Sequence, residues 1–383
     1  MANEVRANSL AELRKRKSVK WRKYPQDVLP LPVAEMDFPI AEQIKAALVD
    51  MIDRSDTGYL GPFPELFQAF SNFAEDKWNW HADVEHMRIA TDVGVGIVEV
   101  MRTLISPGDK VILNSPVYDN MWNWVNEVKA ELADVPLRAN GMEYSIDLAA
   151  LEAAYKNGAK VHLLCNPHNP VGIIHSPSTL EKIAELALKY KVTVISDEIH
   201  APLTFPENTF TPFLAVSDTA REVGITVTSA SKAFNLAGLK CALIISGAKR
   251  LKDQINSMPI SVAFRASLFG AVAATAALSQ ARPWLDGALV ALDHNRKLLK
   301  ELIDSQIPAI SYRVPDFGYL AWLDLSRLGL GDNPADLILE RGKVAINSGS
   351  MYGKQYPKFA RLNFGTSPEI ITEAINRILR SLT

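Results

Sequence analysis

Lys232 stands where a lysine can do chemistry. It follows Ser229-Ala230-Ser231 at the end of a β-branched run, Ile225 to Thr228, that reads as a buried strand. Hydroxyls and unpaired backbone N–H groups at a strand end hold anions such as phosphate. A lysine kept partly neutral there can form a Schiff base with an aldehyde. Two earlier strands end in polar groups of complementary chemistry. Val192 to Ser196 runs into Asp197-Glu198-Ile199-His200, placing an acid where it can hold a proton on a ring nitrogen. Val161 to Cys165 runs into Asn166-Pro167-His168-Asn169-Pro170-Val171-Gly172, a rigid loop from which Asn169 can reach a ring hydroxyl.

An aldehyde, a phosphate, a ring nitrogen and a ring hydroxyl are the groups of pyridoxal 5′-phosphate, and that cofactor is the one these three motifs imply. A fourth stretch adds to the anion end. Thr91-Asp92-Val93-Gly94-Val95-Gly96 precedes an amphipathic run bearing Ile97, Val98, Met101, Leu104 and Ile105. The free N–H groups of Val93 and Gly94 at such a helix start suit a phosphate. The pattern Gly-x-Gly-x-x-Gly is absent, so this is not a dinucleotide fingerprint. No metal is expected.

The elements that must position these groups alternate helix with strand. Asp147–Lys156, Thr179–Tyr190 and the strands between them predict right-handed crossovers and a mostly parallel sheet covered on both faces. Ile44, Ala47, Leu48, Met51 and Ile52 mark one face of a helix beginning after Ala41, and Pro64 opens an aromatic-rich helix through Trp80. A long helical stretch from Pro283 is followed by strands at Ile310–Val314, Tyr319–Leu323, Val344–Ile346 and Phe359–Phe364 and by helices at Pro334–Arg341 and behind Pro368. The fold class read from this is α/β with a smaller α+β domain. The expected divisions are an N-terminal extension, 1–40, a large domain, 41–282, and a small C-terminal domain, 283–383.

The order Asn-Pro-x-Asn-Pro, then Asp197, then Ser-x-Ser-Lys resembles the class I/II aminotransferases, which are fold-type I (PLP-dependent transferase-like) enzymes. Within them the chain is most similar to the cystathionine and cysteine-S-conjugate β-lyases. The resemblance runs from Pro32-Val-Ala-Glu-Met-Asp-Phe-Pro39 to Arg361-Leu-Asn-Phe-Gly365. It implies a catalytic set of Lys232, Asp197 and Tyr118, with Tyr118 stacked on the cofactor ring. It also implies that Arg361 grips the substrate carboxylate and that Ala34 and Glu35 lie at the mouth, where the backbone of their motif helps position substrate. The cofactor contacts it implies are Val93, Gly94, Asn169, Ser229, Ser231, Lys240 and His200. His200 stands where aminotransferases commonly carry Tyr, as in the lyases; Lys240 stands where aminotransferases carry a phosphate-binding Arg. A homodimer follows by the same resemblance, with Tyr59 reaching the partner's phosphate. The implied reaction is β-elimination from a sulfur amino acid; transamination uses the same residues and remains the alternative, with a regulatory or binding protein behind it.

Composition bounds the rest. Across 383 residues, 48% are hydrophobic and 22% charged, enough apolar material for two cores. A net charge of −2 gives no attraction to nucleic acid or an anionic membrane, and Arg14-Lys15-Arg16-Lys17 is expected to be a solvated helix face. Both cysteines, Cys165 and Cys241, lie in apolar runs and are expected to be reduced. No apolar signal core opens the chain and no apolar run reaches about 18 residues, so a cytoplasmic protein is expected.

Overall fold

The computed structural model describes residues 5–382. Strand β1 (Leu29–Pro30) is set apart from the main sheet. β2 (Met87–Ala90), β3 (Lys110–Leu113), β4 (Glu131–Asp134), β7 (Ala159–Cys165), β8 (Thr193–Asp197), β9 (Gly224–Thr228) and β10 (Ala242–Ser246) form a seven-stranded sheet in the order β2-β10-β9-β8-β7-β3-β4. β10 alone runs antiparallel to its neighbours. β5 (Arg138–Asn140) and β6 (Glu143–Ser145) make a separate hairpin. The fold is the expected mostly parallel α/β class.

The side-chain period of two sorts this sheet into two faces. Val161, Leu163, Cys165, Ile195, Ile225 and Val227 pack with Ile97 and Met101 of the helix Val93–Leu104. Leu164, Val194, Leu243 and Ile245 pack on the other side with Leu180, Ile183 and Ala184 of the helix Pro177–Tyr190. The first helix lies close: a Cβ at Gly96 would stand 3.2 Å from Val227 and 3.3 Å from Ile244.

After the long helix Arg282–Gln306, β11 (Ser311–Tyr312), β12 (Leu320–Asp324), β14 (Asn347–Ser348) and β15 (Phe359–Asn363) form a four-stranded antiparallel sheet. Two expected strands differ. Ile310–Val314 shortens to two residues, because Arg313 turns out to ion-pair with Glu143 and Asp316. Val344–Ile346 divides: β13 (Val344–Ala345) pairs in parallel with β1, where Leu31 N–H donates to Ala345 O at 2.8 Å, and the chain then enters β14. The N-terminal basic run differs from expectation in part: Arg14, Lys15 and Lys17 are exposed as expected, but not on a helix. Ser9 caps a helix of only Leu10–Leu13, so Arg14–Lys17 lies beyond it, and Arg16 is half-buried with its guanidinium donating to Met36, Asp37 and Phe38 carbonyls. Both cysteines are free and buried. Among the described residues no helix is long and apolar enough to cross a membrane.

One histidine of β7, His162, makes the fold sensitive to acid. Asn114 donates through its amide to Val135 O, which turns its Oδ1 toward His162 Nε2 at 2.7 Å; Tyr155 O–H donates to His162 Nδ1, also 2.7 Å. Both ring nitrogens are satisfied by the neutral form, and burial pushes the pKa down to about 3. A native pKa below the unfolded one means that unfolding takes up a proton, so this stability is complete above about pH 6.5 and is lost as pH falls. His162→Gln should be less stable than the parent at pH 7, and the gap should narrow by about 1.4 kcal/mol per pH unit between about pH 6 and 4. Denaturant melts at stepped pH measure it; a gap independent of pH would contradict the assignment.

Candidate active site

Parallel pairing brings the chemistry to one edge. Cys165 sits opposite Asp197 and Asp197 opposite Val227, so β7, β8 and β9 end side by side. β2 ends at the same edge, since Ala90 pairs with Ala242 and Thr228 with Leu243 at the start of β10. A cavity of about 440 Å³ opens there. It is lined by Ala34, Val93, Gly94, Tyr118, Asn169, Asp197, His200, Ser229, Ser231, Lys232 and Lys240 from the expected set.

Lys232 Nζ donates to Ala34 O at 2.9 Å. Burial lowers its pKa to about 8, helped by the Arg361 charge and opposed by Asp197 and Glu35. Asp197 moves the other way: burial raises it to about 7, against one N–H from Ile199 at 3.2 Å and the Lys232 charge. It is a buried acid lacking a close cation. His200 is held neutral by burial and by the Lys232 and Arg361 charges, and its Nδ1 is buried without a hydrogen-bond partner.

Arg361, in β15, is 3% exposed. It donates to Asn169 Oδ1 at 3.2 Å and Pro32 O at 3.0 Å, and lies over the Tyr352 ring. Asn169 thus has its amide carbonyl occupied and its NH₂ left to offer. Tyr118 caps the helix Asp119–Glu127 and accepts from Asn120 Nδ2 at 2.7 Å. Its ring meets Trp124 edge-on, at 5.7 Å between centroids.

At the other end, Asp92 caps the helix Val93–Leu104 by accepting from Val95 N at 2.9 Å and pairs with Lys240 Nζ at 2.9 Å. Lys240 is held in the left-handed region, φ +56, a conformation that costs a non-glycine residue about 1 kcal/mol. A Cβ at Gly94 would lie 2.8 Å from the Trp124 ring, so no larger residue fits without moving the indole. Ser229 is already engaged, donating to Cys241 O at 2.6 Å and accepting from Ser231 N.

Three expected residues are not in the lining of this cavity. Arg361 does not line it but bonds Asn169, which does. Glu35 accepts from Ser18 Oγ at 2.5 Å, and its carboxylate is not part of the lining. Tyr59 is 82% exposed and stacks on Phe264 at 5.0 Å. Asn120 and Cys165 line the cavity without a sequence expectation, Trp124 lines it although packing is the safer reading from sequence, and Trp122 does not line it. Tyr319 donates to Ala34 O at 3.2 Å. Trp124 had a signal, its position on an amphipathic helix beside Tyr118; Tyr319 had none.

The donor set fits the cofactor read from the sequence. Helix-start N–H groups and Lys240 make an anion end, and Asp197 is an acid in need of a cationic partner. Asn169 NH₂ is free for a ring oxygen, and His200 lines the same cavity. Lys232 in cofactor-free protein should therefore acylate with a midpoint near pH 8, where an exposed lysine gives about 10.4. Mass-spectrometric labelling across pH reads this; an ordinary midpoint would remove the buried-amine description.

Known proteins share this architecture over its whole length. A chain from Mycobacterium tuberculosis, provisionally named a cystathionine beta-lyase, is 41% identical over 99% of this chain and 98% of its own. A cystathionine beta-lyase from Corynebacterium glutamicum is 33% identical over 98% and 99%. The solved structure of cystalysin from Treponema denticola, which contains a pyridoxal 5′-phosphate cofactor, superposes with a TM-score of 0.91 at 26% identity, covering 100% of this chain and 99% of that one. Residues 26–378 match the model for aminotransferase class I and II. With Lys232, Asp197 and Asn169 drawn to one cavity by neighbouring strand ends, the full-length match makes this chain a member of the class I and II aminotransferase family.

Proposed function

We propose that the protein is a pyridoxal 5′-phosphate-dependent carbon–sulfur lyase that cleaves cystathionine-type thioethers by β-elimination. The observation that carries this is a half-buried, weakly basic Lys232 sharing one cavity with Asp197. The named lyases at 32–41% identity over nearly the whole chain support the choice of elimination.

When bound, the cofactor supplies an aldehyde carbon that engages amines and a ring that withdraws electrons from the substrate Cα. Asp197 keeps the proton on the ring nitrogen, since a cation beside this buried acid favours its ionised form. Asn169 NH₂ and His200 would hold the ring oxygen, and Tyr118 would stack against the ring. Val93 and Gly94 N–H groups, Ser231 and Lys240 hold the phosphate, with Ser229 bracing the loop. Arg361 fixes the substrate carboxylate and so the torsion about Cα. The Lys232 amine takes the Cα proton, for which a pKa near 8 suits work at neutral pH. The thiolate departs from Cβ, and one water is consumed overall as thiol, pyruvate and ammonia form.

The assembly and domain division belong to the same proposal. Residues 41–282 form the cofactor-binding unit and 283–383 the C-terminal unit, with 1–40 closing the mouth; the two sheets and the β1–β13 pairing support this. Residues 1–4 of the first segment and residue 383 of the last lie outside the described residues. Tyr59, exposed and stacked on Phe264, serves the partner's phosphate in a homodimer.

L-Cystathionine alone, without any 2-oxo acid, should yield pyruvate, ammonia and homocysteine over many turnovers. A single turnover that resumes only on adding a 2-oxo acid would instead establish an aminotransferase. Mixing inactive Lys232→Ala protein with Tyr59→Phe protein should restore activity as hybrid dimers form with one intact site. An active monomer in sedimentation would end the shared-site reading.

A further inference from the structure

The mouth of the cavity is closed by a segment of backbone, Pro32 to Phe38, whose carbonyls are held from several sides. Asn363 Nδ2 donates to Val33 O at 2.6 Å and to Glu35 O at 2.7 Å. Asn235 accepts from Met36 N at 3.2 Å and donates to Met36 O and Phe38 O. Asp37 N–H donates to Gly365 O at 2.8 Å. The product of this scaffold is one acceptor, Ala34 O, which takes the Lys232 amine at 2.9 Å.

Beneath it lies an ion pair with no evident part in the chemistry. Lys20 Nζ contacts Asp37 Oδ2 at 2.8 Å, and both side chains are 0% exposed. The same Nζ donates to Glu35 O at 3.1 Å, while Trp21 Nε1 donates to Asp37 Oδ1 at 2.9 Å. A fully buried pair is often no more stabilising than apolar residues of the same volume. What it adds is direction: Lys20 ties a side chain and a main-chain carbonyl of one short segment to one nitrogen.

We propose that the Lys20–Asp37 pair is a positioning device for catalysis, holding the Val33–Asp37 backbone so that the Ala34 carbonyl stays on the Lys232 amine. This rests on the reading of Lys232 as the proton-transferring base. A carbonyl acceptor stabilises an ammonium more than an amine and orients its N–H bonds. The groups around Lys232 are Asp197 and His200 at the end of β8, Arg361, Lys240, the Tyr118 and Tyr319 hydroxyls, and Glu35. Of these, only Glu35 rides on the held segment. Release of the segment therefore withdraws two features that favour the ammonium, the Ala34 carbonyl and the Glu35 carboxylate.

The test uses full-length Lys20→Met/Asp37→Asn, which removes both charges of the buried pair and keeps an acceptor for Trp21. Arg16, 3.9 Å from Asp37 Oδ1, loses that carboxylate and keeps its three carbonyl acceptors. In cofactor-free protein, its Lys232 labelling midpoint should fall by about half a pH unit or more relative to the parent. Loaded with pyridoxal phosphate, its kcat on L-cystathionine should drop about tenfold or more while KM moves by less than about threefold, since displacement of a catalytic group costs rate. A folded variant with an unchanged or raised midpoint overturns the proposal and leaves the pair a structural one. Should the double variant not fold, Asn235→Gly decides by the same criterion. It accepts the native φ of +60 without strain and removes three bonds to the segment from the opposite side. The labelling requires neither cofactor nor sulfur substrate. A shifted midpoint in protein that releases no pyruvate would thus fault the lyase reading alone.

Discussion

Register between β7, β8 and β9 is the constraint on which the site depends. Ile195 packs toward the helix Val93–Leu104, and Asp197, two residues on, shares its face and reaches the cavity. Glu198, one residue further, lies behind the sheet end, where it accepts from Ser196 Oγ and Phe213 N. A slip of one residue would exchange the two acids. Both are buried and both are raised to about 7, so acidity alone does not tell them apart; strand parity does.

The same edge has to join three kinds of backbone. Strand ends carry Asn169, Asp197 and Lys232; a helix start carries Val93 and Gly94; an extended N-terminal segment carries Ala34. The antiparallel entry of β10 matters here because it begins, rather than ends, at the shared edge. That places Lys240 beside Asp92 across the start of a helix far from it in the chain. Arg361 comes from the second sheet and meets Asn169, so the carboxylate-binding and ring-binding ends touch directly.

Much of this was legible because the chemistry is local. A strand, a polar residue at its end and a turn occupy fewer than about ten residues, and hydrophobic periodicity reports on such neighbours. The helix begun at Val93 and the strands before Asp197 and Lys232 were read from that signal. What was hidden is non-local. Asn235 meets Met36 across 199 residues and Tyr319 meets Ala34 across 285, and neither partner carries a pattern that names the other. The basic run misled for the same reason: charge density predicts solvent, but Arg16 finds three carbonyls some twenty residues away. Glu35 was placed by its motif, yet its side chain turns to Ser18 and only the backbone of its neighbour serves the cavity.

That last point has a consequence for how such a site responds to genetic change. The group that receives the Lys232 amine is a peptide oxygen, and every amino acid at position 34 supplies one. Mutational scanning at Ala34, which lines the cavity, would report only bulk and backbone effects and nothing of the oxygen itself. Sensitivity to substitution is displaced onto residues that merely hold the peptide in place: Lys20, Asp37, Asn235, Asn363 and Tyr319. A map of essential side chains for this protein would thus draw an outline around a functional atom and leave the atom itself blank.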